Sequence, residues 1–404
     1  MNIGYLLVSA LVLILGALQG CAGKMESVLP ESKTGIPPQS HMVAVGRWGM
    51  PDCTDDMMDA GLKEAIEQSL AYYRRLDKER VLWFGEDSFK VKDIENTLEQ
   101  FLSVLATTPP GKDRKKALRT AFRMYRAGGE QKKVLFTAYY EPVLRGSRLP
   151  GIDYQVPLYG VPKDLVVVDL GLFRGDLKGM RVLGRYEQDK LVPYYTRREI
   201  DRLGLLQGRG LEIAWIEDPV AAFFLHIQGS GRIILPNGST LLVHYAASNG
   251  RPYRSIGTML IETGKVPKEE GSLSGILEYL RNNPEGRDAA LDYNESYVFF
   301  DEVQKGPLGN LNVVLTAGRS VATDQQLYPP GALAYVETEI PVLGKDGLVA
   351  EWKHVGRFVL NQDTGGAIRA AGRCDIYIGQ GDKAGKIAGS TYQEGKLYYL
   401  FLKK

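Results

Sequence analysis

Short β-strand patterns follow one another from Lys133 to the end of the chain, and few helical patterns separate them. They are apolar runs of three to five residues with Gly, Pro or Asn nearby, at 134–136, 165–168, 223–227, 241–243, 297–300 and 397–401. A hairpin is predicted over 233–241, where Asn237-Gly238 would supply the positive φ angles of a two-residue loop. Such a succession predicts antiparallel or mixed β-barrels, not a doubly wound sheet.

Helical patterns dominate the chain before residue 133. The apolar positions with helical spacing are Leu62, Ile66, Leu70 and Tyr73; Ile94, Leu98, Phe101, Leu102 and Leu105; and Ala117, Leu118, Ala121, Phe122 and Tyr125. Two shorter helices are predicted near 254–263 and 272–283, the second ended by Pro284. These stripes predict buried helix faces that belong to the core.

The first residues have the composition of a secretory signal peptide, predicted over residues 1–20. Residues 5–18 are apolar but short for a membrane span, and Leu18-Gln19-Gly20-Cys21 resembles the lipobox of bacterial lipoproteins. This resemblance implies lipid attachment at Cys21 and, with Ala22 next to it, a position at the periplasmic face of the outer membrane. Because a basic N-terminal region is missing, an ordinary cleaved signal or an anchor helix stays open. The proline-containing residues 21–44 are predicted to link the lipid to the body.

Composition and spacing exclude several functional classes. A net charge of +2 with 24% charged residues gives no basic field for nucleic acid. The chain has no HExxH, paired CxxC, GxSxG or Walker motif, and we expect neither a metal nor a cofactor. His226 and His244 would meet on neighbouring strands, but no third ligand is indicated. The spacing of Cys53 and Cys374 does not decide whether they form a disulfide.

Aspartates in the last quarter of the chain are the candidate catalytic groups. Asp363 ends an apolar run before Gly365-Gly366, Asp375 enters the run 376–378, and Asp324 lies upstream. A carboxyl group in an apolar pocket or beside another carboxylate has a raised pKa and can act as a general acid near neutral pH. Cleavage of a glycosidic bond depends strongly on such an acid. Spacing alone leaves an equal alternative, in which Asp363 only caps a turn.

Several motifs together resemble the membrane-bound lytic murein transglycosylase A family with its C-terminal three-aspartate domain. They are Phe136-Thr137-Ala138-Tyr139-Tyr140-Glu141-Pro142, Asp218-Pro219, Leu225-His226-Ile227-Gln228-Gly229-Ser230-Gly231, the segment 315–324 that ends in Asp324, and 362–368. The resemblance covers the chain from about residue 130 to its end. The run 225–231 is the most specific of these motifs.

The resemblance implies a mixed α/β, mainly β fold with a glycan groove between two domains. A double-psi β-barrel domain with N-terminal helices would comprise 45–142 and 299–404, and a small inserted β-barrel domain would comprise 143–298. The implied activity is cleavage of the β-1,4 bond between N-acetylmuramic acid and N-acetylglucosamine in peptidoglycan, with a 1,6-anhydro product. Implied partners are peptidoglycan glycan strands and the membrane through Cys21, with cell-wall synthases and amidases as candidates.

The resemblance also assigns residues. The catalytic acid falls on Asp375, and its partner aspartates fall on Asp363 and Asp324. The candidate substrate-binding residues are Thr137, Tyr139, Tyr140, Glu141, Gln228 and Ser230, although one of the adjacent tyrosines is expected to face the core. The segment 228–231 has a simple hairpin as its alternative.

Two other functions stay open at this point. A glycan hydrolase would use the same acid with a second carboxylate that activates water. A lipoprotein without turnover would only bind peptidoglycan, although the full set of three aspartates argues against it.

Overall fold

The computed structural model describes residues 41–46, 49–84, 87–128, 133–267, 273–365, 368 and 370–403. The predicted signal peptide, Cys21 and most of the predicted linker lie outside these residues. Within them, no helix combines the length and the apolar character that a membrane crossing requires. Cys53 and Cys374 are both free thiols, and Cys374 is buried.

The helices and strands of the described residues have the following bounds. The α-helices are α1 (Leu62–Tyr73), α2 (Val91–Thr107), α3 (Lys112–Ala121), α4 (Arg197–Asp201), α5 (Pro219–Gln228), α6 (Ile256–Glu262), α7 (Leu273–Asn282), α8 (Pro284–Tyr293) and α9 (Gly381–Ser390). The β-strands are β1 (Val43–Ala44), β2 (Val81–Phe84), β3 (Asp87–Lys90), β4 (Phe122–Arg126), β5 (Val134–Glu141), β6 (Val143–Ser147), β7 (Val156–Tyr159), β8 (Val166–Asp169), β9 (Arg181–Glu187), β10 (Lys190–Pro193), β11 (Glu212–Ile216), β12 (Ser230–Ile234), β13 (Thr240–Ser248), β14 (Val298–Val303), β15 (Ser320–Ala322), β16 (Leu333–Leu343), β17 (Val349–Asp363), β18 (Arg373–Gln380) and β19 (Gln393–Leu402).

Six strands close a barrel in the order β5-β18-β15-β17-β16-β19, because β19 also pairs with β5. Strands β4 and β1 extend this sheet from β19. The main hydrophobic core fills the barrel and includes the buried faces of α1 and α2. Phe101 of α2 packs against Phe358 of β17, with 4.8 Å between ring centroids. The expected mainly β fold with a barrel and N-terminal helices is confirmed.

A second sheet has the order β14-β13-β12-β6-β11-β7, and its outermost strands β14 and β7 are in contact. One face of the sheet packs on α5, and α5 in turn packs on α6, α7 and α8. Strands β8, β9 and β10 form a separate small sheet. Because β14 pairs with β13, the second sheet extends past residue 298 to Val303. The division of the chain into domains stays a prediction.

The strand predicted at 223–227 is wrong, because these residues lie in helix α5. Asp218 caps the helix by accepting a hydrogen bond from Val220 N, Pro219 occupies the first turn, and Gly229 ends the helix with φ +77°. Its apolar residues divide between two hydrophobic clusters on opposite sides. A helix buried on both sides shows no amphipathic period, so the run resembles a buried strand.

Three local predictions also need correction. Helix α3 ends at Ala121, and Phe122 and Tyr125 lie in β4, where they pack in the main core. The hairpin between β12 and β13 has a longer loop in which Gly238 has a positive φ of 81° and Asn237 does not. Pro284 begins helix α8 instead of only ending α7, since proline is tolerated in a first helical turn.

Candidate active site

Four neighbouring barrel strands carry a row of residues that includes two of the candidate aspartates. Ala322 of β15 is the register partner of Asp363 on one side and of Asp375 on the other, with a bulge in its pairing to β17. Asp375 in turn pairs with Thr137 of β5. The alternating neighbours of Asp375, Cys374 and Ile376, belong to the buried core. Since side chains alternate along a strand, Asp375 points to the outer face of the barrel.

Asp375 is held by its neighbours in the row. Thr137 Oγ1 donates a hydrogen bond to Asp375 Oδ1. Burial raises the pKa of the Asp375 carboxyl above its ordinary value, although the bond from Thr137 and the charge of Arg373 oppose this shift. The raised pKa favours the protonated form of Asp375, which is the form that a general acid needs.

Asp363 lies at the end of β17 and accepts three hydrogen bonds from neutral donors. Asn310 N and Thr364 N each lie 2.9 Å from Oδ1, and the Tyr139 hydroxyl lies 2.9 Å from Oδ2. Burial raises the pKa of Asp363 to about 6; the three hydrogen bonds oppose the shift, and the negative charge of Asp375 adds to it. Asp363 therefore changes its charge close to neutral pH, and its pKa depends on the charge of Asp375.

Asp324 lies just past the end of β15 and is buried. Its Oδ1 accepts from Gln326 N at 3.0 Å, and its Oδ2 accepts from Ala370 N at 3.1 Å. Ala370 has φ +77°, a left-handed conformation that an alanine rarely adopts without such support. The contacts of Asp324 hold the loop between the other two aspartates, and no hydrogen bond joins it to either of those side chains in the described residues.

Arg373 is a site residue that the sequence analysis did not identify. Its Nη2 lies 3.1 Å from Thr137 Oγ1 and 3.4 Å from Asp375 Oδ1. It precedes Asp375 by two positions on β18, so it projects from the same face of the strand. That period-two spacing was the signal available in the sequence.

The candidate binding residues separate into those near the aspartates and those held elsewhere. Tyr139 contacts Asp363 and packs against Tyr377, with 5.4 Å between ring centroids. Tyr140 N donates to Gln228 Oε1 at 3.2 Å, which joins the barrel strand to the end of α5. The expectation that one of the adjacent tyrosines faces the core does not hold for the main core, to which neither belongs.

Glu141 and Ser230 are held by other side chains. Glu141 is buried and accepts from Arg232 Nε at 2.7 Å. Ser230 Oγ lies 2.8 Å from His244 Nδ1. The segment 228–231 is not a hairpin, because it is the end of α5 and the start of β12.

The two histidines do not meet on neighbouring strands as expected. His226 lies on α5, where its Nδ1 is 3.2 Å from Arg197 Nη2, and His244 lies on β13. Among the described residues, no group of three His, Cys, Asp or Glu side chains is arranged to hold a metal ion.

Comparisons with known proteins agree with this geometry. The family model of the MltA specific insert domain matches residues 135–301, and that of the 3D domain matches residues 319–401. The membrane-bound lytic murein transglycosylase A of Vibrio cholerae is 33% identical over 280 residues, which cover 68% of this chain and 67% of the relative. That of Escherichia coli K12 is 31% identical over 271 residues, which cover 66% of this chain and 65% of the relative.

Solved structures show the same relationship. The membrane-bound lytic murein transglycosylase of Agrobacterium tumefaciens has a TM-score of 0.73 at 28% identity and covers 89% of this chain and 97% of its own. MltA of Neisseria gonorrhoeae, in a monoclinic crystal form, has a TM-score of 0.70 at 29% identity and covers 92% of this chain and 98% of its own. The chain therefore belongs to the membrane-bound lytic murein transglycosylase A family, a family of peptidoglycan-cleaving enzymes.

Proposed function

We propose that this protein is a lytic transglycosylase that cleaves the β-1,4 bond between N-acetylmuramic acid and N-acetylglucosamine and leaves a 1,6-anhydro end. The observation that carries the proposal is the carboxyl group of Asp375, which is partly buried, has a raised pKa and points out of the barrel one strand away from a second carboxyl group. Family membership supports the substrate, and this geometry supports the chemistry.

In the proposed mechanism, Asp375 acts first as an acid and then as a base. The protonated carboxyl group gives its proton to the glycosidic oxygen, and the bond from that oxygen to C1 of the muramic sugar breaks. The carboxylate then takes the proton of the C6 hydroxyl as that oxygen bonds to C1. Proton and electron pairs balance without water, and an intramolecular hydroxyl group has a high effective concentration at C1.

The neighbouring residues would support this acid. The negative form of Asp363 would stabilise positive charge that develops on the muramic sugar, and Asp324 would keep the loop after Asp363 in position. We propose Thr137, Tyr139, Tyr140 and Gln228 as residues of the glycan groove, since they lie at or next to the row. Glu141 and Ser230 would act indirectly, through Arg232 and His244.

The proposal also covers the cellular location of the protein and its division into domains. The names of the relatives indicate membrane association, and we propose that it occurs through a lipid on Cys21 at the periplasmic face of the outer membrane. We also propose that residues 45–142 with 299–404 form the catalytic domain and that residues 143–298 form the insert, with the groove between them.

Hydrolysis with inversion is the second candidate, and one observation favours it. Asp363 and Asp375 are separated by a single strand, which puts their Cα atoms about 10 Å apart at about 4.8 Å per strand. Side chains on one face of a sheet project roughly in parallel, so we expect the two carboxyl groups at a similar spacing, near the roughly 6.5–9.5 Å at which inverting glycosidases hold theirs with water between them. Asp363 would then activate a water molecule.

Mass spectrometry of the muropeptides released from purified sacculi separates these functions. We expect products with anhydro ends, each one water lighter than the hydrolysis product. Asp375→Asn should lower the release rate by about 10²–10⁴-fold, the usual contribution of general acid catalysis, and should keep the thermal stability of the wild type. Asp189→Asn, in an exposed turn where φ is 62°, is the matched control. Products with hydrated ends, or an unchanged rate in Asp375→Asn, would contradict the proposal.

A further inference from the structure

A cavity of about 270 Å³ lies between the β16–β17 hairpin and the first turns of α9. Lys345 comes from the hairpin, and Lys383 and Lys386 come from the helix. Asp346 and Asp382 also line it, so its charged side chains carry a net positive charge. The function described above uses none of these five residues.

The lysines of the cavity are not paired with its two aspartates in salt bridges between described residues. None of the three ammonium groups forms an ion pair with a carboxylate of the residues that the structure describes. Asp346 Oδ1 accepts a hydrogen bond from Leu348 N at 3.0 Å. The charge of Asp382 acts on Tyr140, whose pKa is raised by burial and then by this aspartate. Three ammonium groups that share a cavity with only two carboxylates leave an excess of positive charge there, which a bound anion neutralises.

The cavity is connected to the candidate active site through α9. This helix begins where β18, the strand of Asp375, ends. The Tyr140 ring packs on the same helix at Gly385, where a Cβ atom would lie 3.0 Å from two ring carbons. Gln380 lies five positions after Asp375 along the extended strand, a length of about 17 Å. Asp382 and Lys383 of the cavity follow in the first turn of α9, so a glycan strand that is bound at Asp375 and runs along β18 would meet the cavity with a neighbouring unit or a side branch.

We propose that the lysine cavity formed by Lys345, Lys383 and Lys386 binds a carboxylate of the peptide that the glycan strand carries. The inference rests on the proposed function, because it assigns this cavity to the same substrate. N-acetylglucosamine has no charge to attract three ammonium groups, whereas an acidic peptide carries carboxylates on a flexible chain. Lysines suit such a ligand because each is a mobile point charge that does not require one fixed geometry.

Binding measured without turnover tests this inference. The full-length Asp375→Asn protein is titrated by calorimetry with short glycan strands that carry their peptides, and with peptide-free strands of N-acetylglucosamine of the same length, which carry no carboxylate. A second protein, the cavity variant, carries Lys383→Gln and Lys386→Gln in addition to Asp375→Asn. The control adds Lys112→Gln and Lys116→Gln instead, two exposed lysines on α3.

We expect the cavity variant to bind the peptide-bearing strands about tenfold more weakly, a loss of about 1.4 kcal/mol. Its affinity for peptide-free strands and that of the control for both ligands should not change. The tenfold difference should also shrink as salt screens the ammonium groups. Equal affinities of the two variants for peptide-bearing strands would overturn the inference, and so would equal weakening on peptide-free strands.

Two further measurements separate related outcomes. Inorganic phosphate is added as a competitor at the same concentration as a free acidic peptide, and equal competition by both would overturn the assignment to the peptide in favour of a general anion site. The proposed function fails independently, when wild-type protein releases no anhydro ends from sacculi. Since the binding titration uses an inactive variant, its result does not depend on that reaction.

Discussion

Asp363 in the barrel row and Arg197 beside the second sheet have opposite kinds of partners for their charge. Beside the second sheet, Arg197 is buried and reaches Asn294 O at 3.1 Å, Ser296 O at 2.7 Å and Asp201 at 3.4 Å. Its guanidinium also lies over the rings of Phe223 and Tyr297. In the barrel row, Asp363 is bound by neutral donors only.

The difference distinguishes a charged residue that stabilises the fold from one that can exchange a proton in a reaction. A buried cation with several acceptors stays charged and fixes its surroundings. A buried carboxyl group without a bound cation holds its proton more tightly and can exchange it near neutral pH. The comparison predicts that variants of Arg197 reduce stability, whereas variants in the row reduce the rate or change its pH dependence.

The largest effect on stability is expected for Arg197→Met. The change leaves two carbonyl groups and Asp201 without their donor, and breaking such a buried arrangement costs about 3–5 kcal/mol. Chemical denaturation of the full chain measures the loss, with the exposed neighbour in Arg198→Met as control. The folded fraction should keep its rate of anhydro-product release. A stable Arg197→Met protein that releases anhydro products slowly would contradict the structural role given to Arg197.

The sequence was sufficient for the elements whose pattern is local. The stripes of α1 and α2 and the apolar runs of β5, β13 and β19 are all found where the residue pattern predicts them. Helix α5 was missed because both of its sides are buried, which removes the periodic signal. Its start and end were nevertheless marked by Asp218-Pro219 and Gly229. These capping residues were better evidence for a helix than the apolar run was for a strand.

The active-site row could not be predicted from local sequence patterns, because it depends on the order in which the strands pair. Asp363, Asp375 and Thr137 come from three strands that are distant in sequence, and Ala322 joins them through pairing in register. Motif resemblance nominated the polar members of this row but could not separate Thr137 from Glu141, which lies on the same strand and binds Arg232. Arg373 was given no role because its contacts with Thr137 and Asp375 depend on the pairing of β18 with β5.

Asp363→Asn should change both rate and pH dependence. The pKa of Asp363 is about 6 in the folded protein, above its ordinary value of 3.8. A raised carboxyl pKa contributes stability that is fully present below pH 3.8 and is lost as the pH rises through about 6. Wild type should therefore lose up to about 3 kcal/mol relative to the variant between pH 4 and pH 8, because each unit of the pKa difference between 3.8 and about 6 is worth about 1.36 kcal/mol.

Unfolding free energies of both proteins across that pH range measure the difference. Asp189→Asn serves as the control, and its difference from wild type should stay constant with pH. The release rate of Asp363→Asn should fall by less than that of Asp375→Asn, because Asp363 stabilises charge without transferring the proton. A difference that stays constant between pH 4 and pH 8 would contradict the role given to Asp363 as a partly buried carboxyl group bound by neutral donors.

The smallest effect is expected for Thr137→Val, which keeps the shape and strand preference of the residue but removes the hydroxyl group. Loss of the donor to Asp375 should lower the maximal rate by about tenfold, the effect of one hydrogen bond worth about 1.4 kcal/mol. The same donor opposes the raised pKa of Asp375, so its removal raises that pKa further. The alkaline limb of the pH–rate profile should therefore move to higher pH, because Asp375 must be protonated to act as the acid. Thr137→Ser retains the donor and should restore both rate and profile, whereas a uniformly lower rate with an unmoved limb would give Thr137 a role in packing alone.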